Sequence, residues 1–186
     1  TIPEDQMPMR MVGVSQCFRR EVGSHGQSDL GIWRVHQFTK IEQIIIAKPE
    51  ESWALHEELL KNCTDLWDSL GIHYEVVNIC TGDMGTVAAK KYDLEAWIPG
   101  AGQYKEIVSC SNCTDYQANR LSIRYGQPGH PNQPIVHTLN STAVATSRAL
   151  VAIMEQSQLE DGRVAIPEVL QPFMGGQTVL EPCNWG

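Results

Sequence analysis

The chain has 186 residues, 42% of them hydrophobic and 19% charged, which suits one globular domain with a sizeable core. Its formal net charge of −8 disfavours a self-sufficient nucleic-acid binder, which carries a basic stripe, so any such partner must be gripped mainly elsewhere. No apolar run approaches the length of about eighteen residues that spans a membrane and no charged-then-apolar leader opens the chain, so the expectation is a cytoplasmic protein with no membrane partner.

In chain order, TIPEDQMPMRMVGVSQ reads as a Pro-containing lead-in to a strand, and Thr1 without a Met suggests a start inside a larger protein. Residues 17–43, CFRREVGSHGQSDLGIWRVHQFTKIEQ, predict two strands joined by a long polar loop. Apolar and charged residues alternate at both ends, while Gly23, Gly26 and Gly31 with Ser24, Ser28 and Asp29 break the middle. Alternation puts Arg19 and Glu21 on one face of the first strand, and Arg34, His36, Phe38, Lys40 and Glu42 on one face of the second. A half-exposed hairpin would also carry polar residues outward. This set is more specific: Arg forks suit phosphate, Phe38 suits stacking on a base, and Glu42 suits an ammonium. At about 3.4 Å per residue, Phe38 to Glu42 covers roughly 13 Å, a span along which an aminoacyl-adenylate could lie.

IIIA at 44–47 is a short buried-strand pattern, and Pro49 opens a helix over 50–70. Its apolar stripe runs through Trp53, Leu59, Leu60, Cys63, Leu66, Trp67 and Leu70, with Glu50, Glu51, Glu57, Glu58 and Lys61 outside it; the tryptophans read as core filling. Gly71 stops the helix, 74–79 and 92–97 predict strands around the 82–85 turn, and Lys90 and Lys91 read as solvated. Gly100 and Gly102 make a tight turn, in which a phosphate cradle would lack the helix start and the P-loop lysine. In the next strand Glu106 and Ser109 are three apart, so a regular strand sends them to opposite faces, and only a bulge or local twist brings both onto one ion. Two such oxygens with triphosphate oxygens would suit Mg²⁺.

Cys110 and Cys113 form a CxxC, but Cys17, Cys63, Cys80 and Cys183 are scattered singly, so packing fits better than zinc and the thiols read as free. Asp115, Gln117, Asn119 and Arg120 predict a polar turn, 121–125 a strand and 126–134 a surface loop with two glycines and three prolines. VHTLN at 136–140 then predicts a strand entering an apolar helix over 143–156, with Ser141 or Thr142 as its N-cap. Arg148, about two turns in, reads equally as a snorkelling or ion-paired residue from pattern alone.

FRRE, the GSHG loop and RVHQFTKIEQ together resemble motif 2 of the class II aminoacyl-tRNA synthetases, and within them the seryl-tRNA synthetase family. YKEIVSCSNCTDYQANRLSIRY at 104–125 agrees, and VHTLNSTAVATSRALVAIMEQ at 136–156 is similar to motif 3; the segments fall in family order and cover nearly the whole chain. NSTAVATSR, where glycines are commoner in bacterial forms, resembles the eukaryotic cytosolic type, and IPEVLQPFM resembles the family's closing segment. The resemblance implies an α/β (α+β) fold, an antiparallel β-sheet flanked by helices. It makes residues 1–186 part of one catalytic domain carrying motifs 2 and 3, with the tRNA-binding arm, motif 1 and the serine-recognising Thr-x-Glu loop absent from this stretch.

It further implies a serine–tRNA ligase that uses ATP and Mg²⁺ on L-serine and tRNA(Ser), with tRNA(Sec) also expected and a homodimer in the full-length protein. ATP contacts then fall to Arg19, Arg20 and Glu21, to Val35, His36, Gln37 and Phe38, and to Glu106, Ile107, Val108 and Ser109. Arg19 would hold the α-phosphate, Glu21 the adenine amino edge and Arg148 the far phosphate, which makes Arg19 and Arg148 the catalytic pair. Glu42, Asn140 and Thr142 would bind serine, and Glu106 with Ser109 would hold Mg²⁺. Two rivals are a synthetase-like paralogue acting as a binding or regulatory module, and a hydrolase using Glu21 and Glu42 as acid and base. Arg19 and Arg34 would keep both carboxylates ionised, which leaves the hydrolase without a proton donor.

Overall fold

The computed structural model describes residues 1–21 and 31–183; the middle of the expected hairpin loop, with Gly23, Ser24, Gly26, Ser28 and Asp29, lies outside the described residues. Strands β1 (Met9–Phe18) and β2 (Gln37–Ala47) pair antiparallel from Met9 against Ile46 to Phe18 against Gln37. The run of β-branched residues continues β2 through IIIA, so the two expected strand patterns form one element. With β3 (Tyr74–Asn78), β4 (Lys90–Ile98), β5 (Gln103–Asn112) and β6 (His137–Ala145) they form a six-stranded antiparallel sheet in the order β1-β2-β6-β5-β4-β3.

Helix α1 (Ser52–Ser69) starts two residues later than its pattern suggests and buries Leu55, His56, Leu59, Cys63 and Trp67. Leu55, Leu59, Cys63 and Trp67 sit four residues apart with His56 beside them, and Leu55 and Leu59 pack with Ile45, Ala47, Cys110 and Leu139 of the sheet. Trp53 is exposed, so of the two tryptophans only Trp67 fills the core. Gly71, at φ +70°, closes the helix: its N–H donates to the Asp68 carbonyl (2.9 Å) and Ile72 N–H to that of Trp67 (3.3 Å). A Cβ there would meet no atom within 4 Å, so the cost of Gly71→Ala is backbone strain alone. That is about 1 kcal/mol, and thermal melting followed by circular dichroism should show Tm lower by about 2–4 °C.

Helix α3 (Thr146–Gln156) lies on the same face of the sheet as α1, with Ala149 and Ala152 packed in one cluster with Cys63, Trp67, Leu94 and Ile107. The opposite face carries Met9, Met11, Ile44 and Ile46 at one end and Phe38, Lys40 and Glu42 at the other. Strands β5 and β6 pair only from Cys110–Asn112 to Leu139–Ser141, and their remaining lengths diverge, which opens a wedge in the sheet. A short helix α2 (Tyr116–Leu121), a two-stranded pair of β7 (Val164–Ala165) and β8 (Val179–Leu180), and 3-10 segments at Glu4–Gln6, Pro99–Ala101 and Glu168–Met174 complete the described chain. None of the helices among the described residues is long and apolar enough to cross a membrane.

Several expectations are corrected. Arg19 and Glu21 lie past the end of β1, and Glu21 has φ +48°, so strand alternation does not set their direction. Likewise Arg34 and His36 precede β2. Strand β6 runs on to Ala145, making Ser141 and Thr142 strand residues and Arg148 a first-turn residue of α3. Small β-branched and hydroxyl side chains fit a central strand as well as a helix cap, and sheet pairing decides. The polar segment after Asp115 is the helix α2, and 121–125 makes only isolated bridges at Arg124 and Tyr125. Lys90 and Lys91 are paired, with Glu57 and Asp93, each at 3.1 Å.

Candidate active site

The wedge between β6 and β5 forms a cavity of about 390 Å³, walled by β2, β6, β5, the start of α3 and the segments that flank the hairpin. Even-numbered residues of β2 turn to the face that bears it, because Gln43, Ile45 and Ala47 are taken by α1: Gln43 approaches Cys63 and Leu59, and the other two are buried. Phe38, Lys40 and Glu42 thus line one wall in order. Beyond the strand ends the hairpin stays closed: Arg19 N–H donates to the His36 carbonyl (2.9 Å), and His36 Nδ1 lies 3.0 Å from the Arg19 carbonyl. This places the Arg19 guanidinium 5.3 Å from the centre of the Phe38 ring. Glu21 meets Arg34 at 3.1 Å.

Two bulges aim the other walls. Between β4 and β5 the register slips: Leu94 faces Val108 but Glu95 faces Glu106, so Ile107 is the extra residue. Ile107 and Val108 both bury in the core, and Glu106 and Ser109 both border the cavity. The bulge that a shared ion requires is therefore present. A second slip leaves Ala143 of β6 unopposed between Ile41 and Glu42 of β2. Asn140 and Thr142, before that bulge, donate to the two oxygens of Glu42 at 2.9 and 3.2 Å, and Lys40 Nζ lies 2.9 Å from the same carboxylate.

Arg148 reaches over the far wall. It donates to the Glu106 carbonyl (2.7 Å), sits 3.6 Å from the Glu106 carboxylate and stacks 5.3 Å from the Trp33 ring. Burial pushes its pKa below the usual arginine range, and the neighbouring Arg19 and Arg34 push the same way, against Glu106. The cavity wall carries four cations, Arg19, Arg34, Lys40 and Arg148, against three carboxylates, Glu21, Glu42 and Glu106. In a chain of net charge −8 this is a local positive excess, which favours a polyanion in a partly desolvated cleft.

The donor set fits a hard divalent ion. Glu106 and Ser109 offer only oxygen, and Asp93, cross-strand from Ser109, is 4% exposed with one carboxylate oxygen lacking any hydrogen-bond partner. Burial pushes the Asp93 pKa up, while Lys91 pulls it down. Among the described residues no cluster of three His, Cys, Asp or Glu forms, so phosphate and water oxygens would complete such a shell. Cys110 and Cys113 are buried free thiols, and burial pushes the Cys110 pKa up to about 12 and raises that of Cys113, which suits packing.

Of the candidate residues, Arg19, Glu21, Val35, Phe38, Glu42, Glu106, Ile107, Ser109, Asn140, Thr142 and Arg148 line the cavity; Arg20, His36, Gln37 and Val108 do not. Val108 is fully buried in the core. Trp33, Lys40 and Ser147 line it without a role assigned from sequence. Trp33 precedes Arg34 and alternation would send it away, but the segment is not a strand; Lys40 carried a signal in its place between Phe38 and Glu42.

A ring, a guanidinium and an acid are laid along an antiparallel sheet, with a second arginine from helix α3, in a cation-rich cleft. Residues 2–157 match the tRNA synthetase class II core domain (G, H, P, S and T), and the chain belongs to that family. Within it, the chain is 58% identical over 178 residues to the serine–tRNA ligase of Methanocella arvoryzae, covering 95% of this chain and 42% of that protein. It superposes on seryl-tRNA synthetase from Pyrococcus horikoshii complexed with ATP with a TM-score of 0.94 at 53% identity, covering 98% of this chain and 41% of the other. The cytoplasmic serine–tRNA ligase from Naegleria fowleri in complex with AMP gives 0.93 and 48%, covering 98% and 43%. The chain spans about two fifths of the length of the curated relatives it matches.

Proposed function

We propose that this chain is the motif 2 and motif 3 part of a serine–tRNA ligase catalytic domain, and that its cavity forms seryl-adenylate from L-serine and ATP. The observation that carries the reading is the cradle around Glu42: one carboxylate, fixed by Asn140 and Thr142, set along β2 from an aromatic ring capped by arginine. Adenine stacks on Phe38, with Val35 beside it and Glu21 at its amino edge. The serine ammonium replaces Lys40 at Glu42, and the serine carboxylate lies toward Arg19.

A serine carboxylate oxygen attacks the α-phosphorus in line, the bond to the β-phosphate oxygen breaks, and pyrophosphate leaves. Arg19 neutralises charge at the α-phosphate and Arg148 at the far end, so the protein contributes position and charge rather than covalent chemistry. Mg²⁺ bound through Glu106 and Ser109 would supply charge neutralisation between phosphate oxygens. The terminal ribose hydroxyl of tRNA(Ser) then attacks the seryl carbonyl and AMP leaves. Serine's hydroxyl separates it from alanine, because polar groups built for it stay unpaired when alanine enters.

The rest of the reading concerns the full-length protein. Its tRNA-binding arm and motif 1 lie outside this stretch, it is a homodimer in the cytoplasm, and it also charges tRNA(Sec). The net charge of −8 supports the first point, since the tRNA must be held largely by other segments. The small-residue NSTAVATSR is read as the eukaryotic cytosolic type, a reading set against the 57–58% identity to archaeal relatives, which exceeds the 48% to the Naegleria enzyme. A hydrolase using Glu21 and Glu42 has no support, because each is paired with a cation, Arg34 and Lys40.

Serine-dependent ATP–pyrophosphate exchange by the full-length protein tests the reading: exchange with serine and none with alanine or glycine is expected, and ATP binding without any exchange contradicts it. In the same assay Glu106→Gln should raise the Mg²⁺ concentration for half-maximal rate by about tenfold, because it removes a charged ligand worth about 1.4 kcal/mol or more. An unchanged Mg²⁺ titration would remove Glu106 from the metal site.

A further inference from the structure

We infer that Trp67 and Cys63, on helix α1 behind the sheet, are positioning residues for the amino acid, mounting the β6 bulge that aims Asn140 and Thr142 at Glu42. The inference rests on the serine reading of the Glu42 cradle and deepens it.

The bulge creates the need for a mount. Ala143 has no opposite residue on β2, so the ladder leaves its backbone polar groups without their usual partners. Its carbonyl turns toward α1, where the indole N–H of Trp67, itself 0% exposed, donates to it at 3.2 Å. One residue earlier, the Thr142 carbonyl lies 3.3 Å from Cys63 Sγ and 3.2 Å from Ser141 Oγ. Cys63 Sγ also lies 3.2 Å from Ser141 Oγ and accepts from Gln43 Nε2 at 3.2 Å, so one buried thiol ties β6 to β2 immediately beside the slip.

The same short backbone segment therefore does two things. Its rear face is fastened to α1, and its front face presents Asn140 Nδ2 and Thr142 Oγ1 to Glu42. A carboxylate that must take an ammonium has to be held to within about 0.5 Å, and residues behind the sheet set that tolerance. Neither Trp67 nor Cys63 lines the cavity, and their hydrogen bonds go to Gln43, Ser141, Thr142 and Ala143 around the Glu42 cradle, not to Arg19, Phe38 or Arg148. Their loss should be felt by serine and not by ATP.

Trp67→Phe keeps most of the buried ring and deletes the N–H, leaving the Ala143 carbonyl unpaired in the core. In the full-length protein, serine-dependent ATP–pyrophosphate exchange should show the serine KM raised by about tenfold, with the ATP KM changed less than about twofold and kcat less than about threefold. Cys63→Ala should raise the serine KM by about threefold, and Cys63→Ser, which restores a polar hydrogen on the same stem, should return it to within about twofold of wild type. Leu55→Val, on the same helix but packed against Ile45 and Leu139, lowers Tm and should leave both KM values unchanged.

Serine and ATP KM rising together in Trp67→Phe or Cys63→Ala, or neither rising in folded protein, overturns the inference. Should Trp67→Phe not fold, the Cys63→Ala and Cys63→Ser pair decides it by the same criterion. A wild-type protein that binds ATP and shows no serine-dependent exchange overturns the proposed function instead, and with it the assignment of the cradle to serine.

Discussion

Glu42→Ala is expected to lower kcat/KM for serine in ATP–pyrophosphate exchange by about a thousandfold, ~4 kcal/mol, while ATP affinity stays within a few-fold of wild type. The carboxylate takes hydrogen bonds from Asn140 and Thr142 and pairs with Lys40, and its side chain is 16% exposed. Removing it leaves two donors and an ammonium converging on nothing, and a serine ammonium arriving there would meet Lys40 as a like charge. Glu42→Gln keeps an acceptor oxygen but no charge, so a loss of about a hundredfold is expected. Steady-state exchange with serine and ATP varied separately measures both. If ATP affinity falls as much as serine kcat/KM, Glu42 is not an amino-acid ligand.

Arg148→Ala should lower the exchange rate at saturating serine by about a hundredfold to a thousandfold, the range seen when one preorganised donor to developing charge is removed. The guanidinium is already fixed without substrate, by the Glu106 carbonyl at 2.7 Å and by the Trp33 ring. Little ordering therefore remains to be done when phosphate arrives. Lysine at this position keeps the charge and loses the planar fork and much of the stacking, so Arg148→Lys should still cost about tenfold or more. A full exchange rate in Arg148→Ala would show that the far phosphate is neutralised by other groups.

The β2 wall of the cavity was legible in the sequence because it is a regular strand: Phe38, Lys40 and Glu42 share a face by period-two alternation, and they do line the cavity together. Arg19 and Glu21 reach the same cavity for a different reason. They lie beyond β1, at a left-handed Glu21, and hydrogen bonds between Arg19 and His36 hold them there. The α1 stripe and its stop at Gly71 were readable from spacing and a single glycine.

What pattern alone cannot supply is register across strands distant in the chain. The slip at Ile107 brings Glu106 and Ser109 onto one cavity, and the slip at Ala143 sets Thr142 on Glu42; both arise from pairing with β4 and β2, not from local propensity. The same pairing extends β6 through Ser141 and Thr142, whose hydroxyls suit a helix cap equally well. Trp33 escaped because its neighbours suggested alternation where the chain is irregular, although a large ring between Arg148 and Lys105 is what arranges that end of the cavity.

The central claim is a direction along β2, base at one end and amino group at the other. A crystal structure of the full-length protein with a non-hydrolysable seryl-sulfamoyl adenosine tests it most directly. The account predicts adenine stacked on Phe38, the sulfamoyl group at Arg19 and the ammonium within hydrogen-bonding distance of Glu42, with Lys40 displaced from it. An analogue bound in the reverse direction, or with its ammonium away from Glu42, would contradict it.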